Sequence, residues 1–219
     1  MNTPSSRKLV IFDLDGTLVD TLEPTFHCFA EAVYPVIGFR PTKEQVEERF
    51  GPADHEIVSE WVGPEHAEAA VKRLYDCYAT QFAERGPFPG VHELLQGLKN
   101  AGHALALFTG RGRPSADQIL RSMDLEKFFD ATVTGEEVPQ SKPAPDGLLK
   151  ILKDLDIPAQ DSVFIGDSPL DLGSAEAAGV EFVFFAPSEA SSHRVPALRL
   201  TTHLADRLEE LGFGLRSIS

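Results

Sequence analysis

Short apolar runs alternate with longer amphipathic stretches along most of the chain. Leu9–Phe12, Ala104–Phe108, Ala131–Val133, Ser162–Ile165 and Glu181–Phe185 predict buried strands, several of them closed by glycine-bearing turns. Val91–Asn100, Ser115–Met123, Asp146–Asp154, Leu170–Ala178 and His203–Leu211 predict helices between and after them. Such β-α alternation implies a parallel sheet covered on both faces by helices. In open sheets of that kind the ligand crevice lies beyond the C-terminal ends of the strands.

Residues 21–87 follow a different pattern, with no convincing strand. Glu23–Val33, Thr42–Phe50, Asp54–Val62 and Pro64–Ala83 read as helices, with Asp54 and Pro64 near helix starts. This block is expected to be a helical insertion after the first strand. Asp20–Leu22 and Arg85–Pro89 would be its two hinges, and Gly86-Pro87-Phe88-Pro89-Gly90 marks the return to the sheet. The domain expectation is therefore a core of residues 1–20 and 88–219 with an insertion of residues 21–87. No internal repeat or low-complexity tract is visible.

Composition narrows the class. A chain of 219 residues with 42% hydrophobic and 25% charged residues can bury a substantial core. Its net charge of −14 argues against nucleic acid or an anionic membrane as the main partner, since both require clustered positive charge. An acidic protein that handles an anionic substrate needs local cations: a metal, a lysine or helix N-termini. The two cysteines, Cys28 and Cys77, do not suggest a disulfide framework and are expected to be free, partly buried thiols. Met1 to Ser6 is polar with no apolar stretch behind it, and no run approaches a membrane span, so a cytoplasmic protein is expected.

Four segments carry the candidate chemistry. Asp13-Leu14-Asp15-Gly16-Thr17 ends the first strand with carboxylates two positions apart, which extended geometry points to one side. Like charges that close call for a divalent cation or a shared proton. Thr109-Gly110-Arg111 ends the second strand with a hydroxyl and a glycine. Ser141-Lys142-Pro143-Ala144-Pro145 fixes a lysine among prolines ahead of a helix, and Gly166-Asp167-Ser168-Pro169-Leu170-Asp171 ends another strand with two more carboxylates. A carboxylate can attack phosphorus, and magnesium favours oxygen ligands of this kind. The Thr109 hydroxyl and the Gly110 amide suit phosphate oxygens, and Lys142 supplies a compact positive charge.

In order and content these segments resemble the haloacid dehalogenase-like superfamily of phosphotransferases, across nearly the whole chain. Phe128-Phe129-Asp130 and Gly135-Glu136-Glu137-Val138-Pro139, ahead of Ser141-Lys142-Pro143, look like the phosphoglycolate phosphatase-like branch. The resemblance implies a Rossmann-like α/β core, three layers deep, with an inserted helical cap of the C1 type. It implies Asp13 as nucleophile and metal ligand, and Asp15 as general acid, then base, with its backbone carbonyl on the metal. Thr109 and Gly110 would hold phosphoryl oxygens, Lys142 would neutralise charge and orient Asp13, and Asp167 would be the second metal carboxylate. Asp171 would be a ligand through water, a partner for Lys142, or simply a first-turn helix residue. The metal would be Mg²⁺, with Mn²⁺ suited to the same ligands.

The expected activity is hydrolysis of a small phosphorylated metabolite (a phosphoglycolate-like acid, a sugar phosphate or a nucleotide) by a monomer or homodimer. Asp15 disfavours dehalogenase and phosphonate-cleaving chemistry, because those relatives lack or replace it. A phosphosugar mutase is the alternative enzyme, but Thr17 and Thr25 stand where such relatives carry an aliphatic residue and a hinge histidine, with His27 off register. A non-catalytic regulatory role is a third alternative, opposed by retention of the whole set. Arg111 and Arg113 read either as attractors of a second anionic group or, more simply, as a solvated rim. His55, Trp61 and Arg49 lie in the expected cap, Trp61 more simply as cap core, and Gly51-Pro52 is a candidate loop over the crevice. The seven histidines show no metal-ligand spacing, so none is assigned to catalysis.

Overall fold

Leu9-Val10-Ile11-Phe12 has no exposed residue, so this strand needs hydrogen-bonding neighbours on both edges and packing on both faces. The computed structural model, which describes residues 8–49, 53–187 and 197–213 (for 197–202 the backbone alone), supplies both. Strand β1 (Leu9–Phe12) is central in a five-stranded sheet that also contains β2 (Ala104–Thr109), β3 (Ala131–Thr134), β4 (Ser162–Gly166) and β5 (Glu181–Phe184). The order is β3-β2-β1-β4-β5 and every pairing is parallel. Phe12 is in register with Leu107 on one side and Ile165 on the other, which brings the ends of β1, β2 and β4 to one edge.

Alternation along the strands divides the core in two. Val10, Phe12, Leu105, Leu107, Val163 and Ile165 face one way, toward α5 (Val91–Asn100), α6 (Arg113–Ser122) and α9 (Ala197–Glu210). Leu9, Ile11, Ala106, Phe108 and Phe164 face the other, toward α7 (Asp146–Leu155) and α8 (Pro169–Ala178). The result is the three-layer α/β/α core with a parallel sheet that the alternation predicts. Among the described residues no helix is long and apolar enough to cross a membrane.

Between β1 and α5 lie α1 (Leu22–Ile37), α2 (Lys43–Glu47), α3 (Asp54–Val62) and α4 (Pro64–Arg85). α4 buries Ala70, Leu74, Tyr78 and Phe82, one face at four-residue spacing, and that face meets α1 and α3. The expected helix Thr42–Phe50 is shorter than its pattern, ending at Glu47, and Phe50 and the Gly51-Pro52 loop lie outside the described residues. Trp61 is partly buried against the core, with the Arg49 guanidinium 4.3 Å from its ring.

The expectation of free thiols is overturned. Cys28 on α1 and Cys77 on α4 form a disulfide, with Cα atoms 5.5 Å apart at a sequence separation of 49. The packing of α1 on α4 makes the pair, and nothing local to either cysteine signals it.

Candidate active site

Asp13 leaves the sheet immediately after β1, its backbone N–H donating to Ile165 O at 2.8 Å. One carboxylate oxygen, Oδ1, accepts from Lys142 Nζ at 2.6 Å, and the same ammonium lies 2.6 Å from Asp171 Oδ1. Lys142 is therefore clamped between two buried carboxylates. The rings of Phe108 and Phe164 wall its ammonium at 5.0 and 5.3 Å. Asp171 is held in turn by Ser168, whose N–H and Oγ–H both donate to its Oδ2, at 3.1 and 2.6 Å. Of the roles the sequence leaves open for Asp171, the contact with Lys142 is the one seen here.

Asp167 completes the acidic cluster. It accepts from Thr17 Oγ1 at 3.3 Å. One ligand oxygen each from Asp13, Asp167 and Asp171 lies within 4.8 Å of the others. The close approach depends on Gly16, whose φ is +83° and where a Cβ would stand 2.1 Å from Asp167 Oδ2. Burial, opposed by Lys142 and reinforced by Asp171 and Asp15, pushes the Asp13 carboxyl up to about 8. Burial and the Asp171 charge push Asp167 up to about 6. Lys142 is also raised: burial pulls it down, but the charges of Asp13 and Asp171 outweigh that. A set of hard oxygen donors that resist ionising together fits a divalent cation, which would relieve their repulsion.

Asp15 is engaged through both oxygens. Oδ1 accepts from Thr21 Oγ1 and, at 2.7 Å, from Arg111 Nε; Oδ2 accepts from Arg111 Nε at 2.9 Å and from Thr109 Oγ1 at 3.3 Å. Burial raises this carboxyl, but the Arg111 charge and the hydrogen bonds from Arg111 and Thr21 prevail and hold it below the usual range. Thr109 is fully buried and also accepts from the Arg111 backbone N–H at 3.2 Å. Gly110 is exposed, and a Cβ there would meet nothing within 4 Å, so the protein itself does not demand glycine at that position.

The expectation that Arg111 belongs to a solvated rim is wrong. Its side chain is 9% exposed and reaches across to α1, α3 and α4. Nη1 donates to Asp54 Oδ2 on α3 at 3.1 Å and Nη2 to Thr25 Oγ1 on α1 at 2.8 Å, and Nη1 is 3.5 Å from Tyr78 Oη on α4. Tyr78 Oη in turn donates to Asp54 Oδ2 at 3.3 Å. Arg113 does behave as a rim residue, paired with Glu137 and Asp117 at the surface. Sequence reasoning missed Asp54, Tyr78, Thr21 and Thr25. The available signal was a hydroxyl in the middle of the apolar face Ala70, Leu74, Tyr78, Phe82, which needs a polar partner once buried.

Comparison with known proteins agrees with this geometry. The sequence pattern of the haloacid dehalogenase-like hydrolases matches residues 10–185. A Pseudomonas aeruginosa relative, phosphoglycolate phosphatase 1, is 33% identical over 183 residues, spanning 79% of this chain and 67% of the relative. CbbY from Rhodobacter sphaeroides, solved in complex with phosphate, superposes with a TM-score of 0.68 at 25% identity, over 81% of this chain and 85% of that one. A Thermotoga maritima protein provisionally named a beta-phosphoglucomutase superposes with a TM-score of 0.67 at 27% identity, over 91% and 99% of the two chains. With its Asp13, Lys142 and Asp167 segments all inside the matched span, the chain belongs to the haloacid dehalogenase-like hydrolase family.

Proposed function

We propose that this protein is a divalent-metal-dependent phosphatase that hydrolyses a small phosphorylated metabolite through an aspartyl-phosphate on Asp13. The observation that carries the proposal is the buried chain Asp13–Lys142–Asp171 with Asp167 beside it and Asp15 paired with Arg111. Lys142 fixes the Asp13 carboxylate, so one oxygen keeps the ammonium while the other is available to attack phosphorus. As the Asp13 O–P bond forms, the bond from phosphorus to the leaving oxygen breaks, and Asp15, turned off Arg111 and protonated from solvent before the cap closes, gives that oxygen its proton. Asp15 then takes a proton from water as the water attacks the aspartyl-phosphate, releasing phosphate and restoring Asp13. Thr109 and the Gly110 amide hold phosphoryl oxygens, with Lys142 offsetting their charge. Asp13, Asp167 and the Asp15 carbonyl would hold a magnesium ion, which supplies electrostatic stabilisation of the transferring group when bound.

Residues 21–87 act, in this proposal, as a cap over the core of residues 1–20 and 88–219, limiting substrates to small molecules and excluding bulk water. The relative named phosphoglycolate phosphatase supports a small phosphorylated acid, and sugar phosphates or nucleotides belong to the same test. The mutase alternative draws on the Thermotoga neighbour. Against it, Thr25, at the hinge-histidine position, is committed to Arg111.

The test is phosphate release from phosphoglycolate, sugar phosphates, nucleotides and pyrophosphate with Mg²⁺, beside Asp13→Asn and a chelated control. Activity lost by roughly 10³-fold or more in both controls is expected. Activity retained by Asp13→Asn, or turnover only of a hexose 1-phosphate in the presence of a bisphosphate, would refute the assignment.

A further inference from the structure

Arg111 joins the general acid of the proposed reaction to three helices of the insertion. Its Nε–Nη2 edge pairs with the Asp15 carboxylate, while Nη1 donates to Asp54 and Nη2 also donates to Thr25. Both oxygens of Asp15 are occupied by donors from Thr21, Thr109 and Arg111, so in this arrangement that carboxylate is held on Arg111. Among the described residues it is the one carboxylate paired with the Nε–Nη2 edge, since Asp54 pairs with Nη1. Arg111 itself cannot follow a moving Asp15 far, because Asp54, Thr25 and Tyr78 hold it from the cap side and its side chain is almost wholly buried.

A guanidinium edge that accommodates one carboxylate is a seat for another of the same shape. We infer that Arg111 is the specificity-determining residue of the site, and that a carboxylate on the substrate's leaving group takes the place of Asp15 on it. The exchange does two things at once. It anchors the far end of the substrate under the cap, and it frees Asp15 to turn toward the leaving oxygen. A leaving group with no carboxylate leaves Asp15 on Arg111 and the acid unavailable. Carboxylate recognition and chemistry are thereby coupled through one side chain, and Asp54 and Tyr78 hold that side chain in register with the cap. The inference rests on the phosphatase reading above and names its substrate class: a phosphomonoester whose alcohol portion carries a carboxylate.

The experiment compares kcat/KM for phosphoglycolate and for 2-hydroxyethyl phosphate, which puts CH₂OH where the acid has its carboxylate. Wild type, Arg111→Gln and Arg111→Lys are measured, the lysine variant because it keeps the charge while losing the fork and so protects against simple misfolding. Wild type is expected to favour phosphoglycolate by about 10²-fold or more, and both variants to bring the two substrates within about tenfold, chiefly by losing phosphoglycolate turnover. A merely structural role would lower both substrates together and keep the ratio, which overturns the inference. So does a wild-type enzyme with no preference, or one that turns over other phosphomonoesters but not phosphoglycolate. Asp13→Asn, run alongside, separates this failure from the other: residual turnover there refutes the nucleophile assignment, whatever Arg111 does.

Discussion

Metal binding should release protons in a pH window set by two carboxyls. Without a cation, burial and neighbouring charge push Asp13 up to about 8 and Asp167 up to about 6, well above the ordinary aspartate range. A divalent cation needs both ionised. At pH 7 roughly nine-tenths of Asp13 and one-tenth of Asp167 carry a proton, so each ion bound expels about one proton. Apparent affinity should then rise about tenfold per pH unit between pH 6 and 8 and level off above 8, leaving binding about 30-fold weaker at pH 6.5 than at pH 8.5. The same groups fix the sign for stability. The native state holds more protons than the unfolded chain from about pH 4 to pH 8, so these two carboxyls cost the metal-free protein stability as pH rises through that window, and bound Mg²⁺ should remove the loss. Isothermal titration of Mg²⁺ or Mn²⁺ in two buffers of different ionisation enthalpy, at both pH values, measures affinity and proton count together. Equal affinity at the two pH values with heats independent of buffer would refute the electrostatic picture of the site.

Three further outcomes follow from individual contacts. Lys142→Met leaves Asp171, and Asp13 where it is ionised, buried without their shared cation; kcat should fall by about 10²–10³-fold, and above pH 8 the metal-free protein should lose about 3–5 kcal/mol of stability by denaturant melts. Unchanged stability would mean the clamp is not formed. Gly147→Ala places a Cβ 2.2 Å from Phe108 Cε2, so it should overpack the α7–sheet interface and cost about 1–3 kcal/mol in thermal denaturation. Reducing Cys28–Cys77 opens a 49-residue loop worth up to about 4 kcal/mol, and denatured protein should titrate no thiols before reduction and two after. Two free thiols in protein acid-trapped from cells would show the pair reduced there, as a cytoplasmic location predicts.

What was legible in the sequence was whatever is local. Each strand is a short apolar run, and its contrast with the longer amphipathic stretches beside it places all five strands within a residue or two. Asp13, Asp15, Thr109 and Asp167 sit within three residues of a strand end, so the parallel sheet delivers them to one edge without further information. Lys142 was legible by its segment alone, and its position between Asp13 and Asp171 needed the packing of α7 and α8. Arg111 was misread because its meaning lies in Thr25, Asp54 and Tyr78, on three helices far away in sequence. Cys28 and Cys77 failed for the same reason. Two cysteines 49 residues apart carry no pairing signal until two helices are seen to touch.

The central claim is that the phosphoryl group passes through Asp13. Mixing enzyme, Mg²⁺ and the best substrate, quenching in acid within a turnover and mapping peptides by mass tests it directly. The account predicts a phosphate adduct on Asp13 that appears with turnover, vanishes with a chelator and persists longer when Asp15 is replaced by asparagine. Rapid turnover with no adduct on Asp13, or with one on another residue, would contradict it.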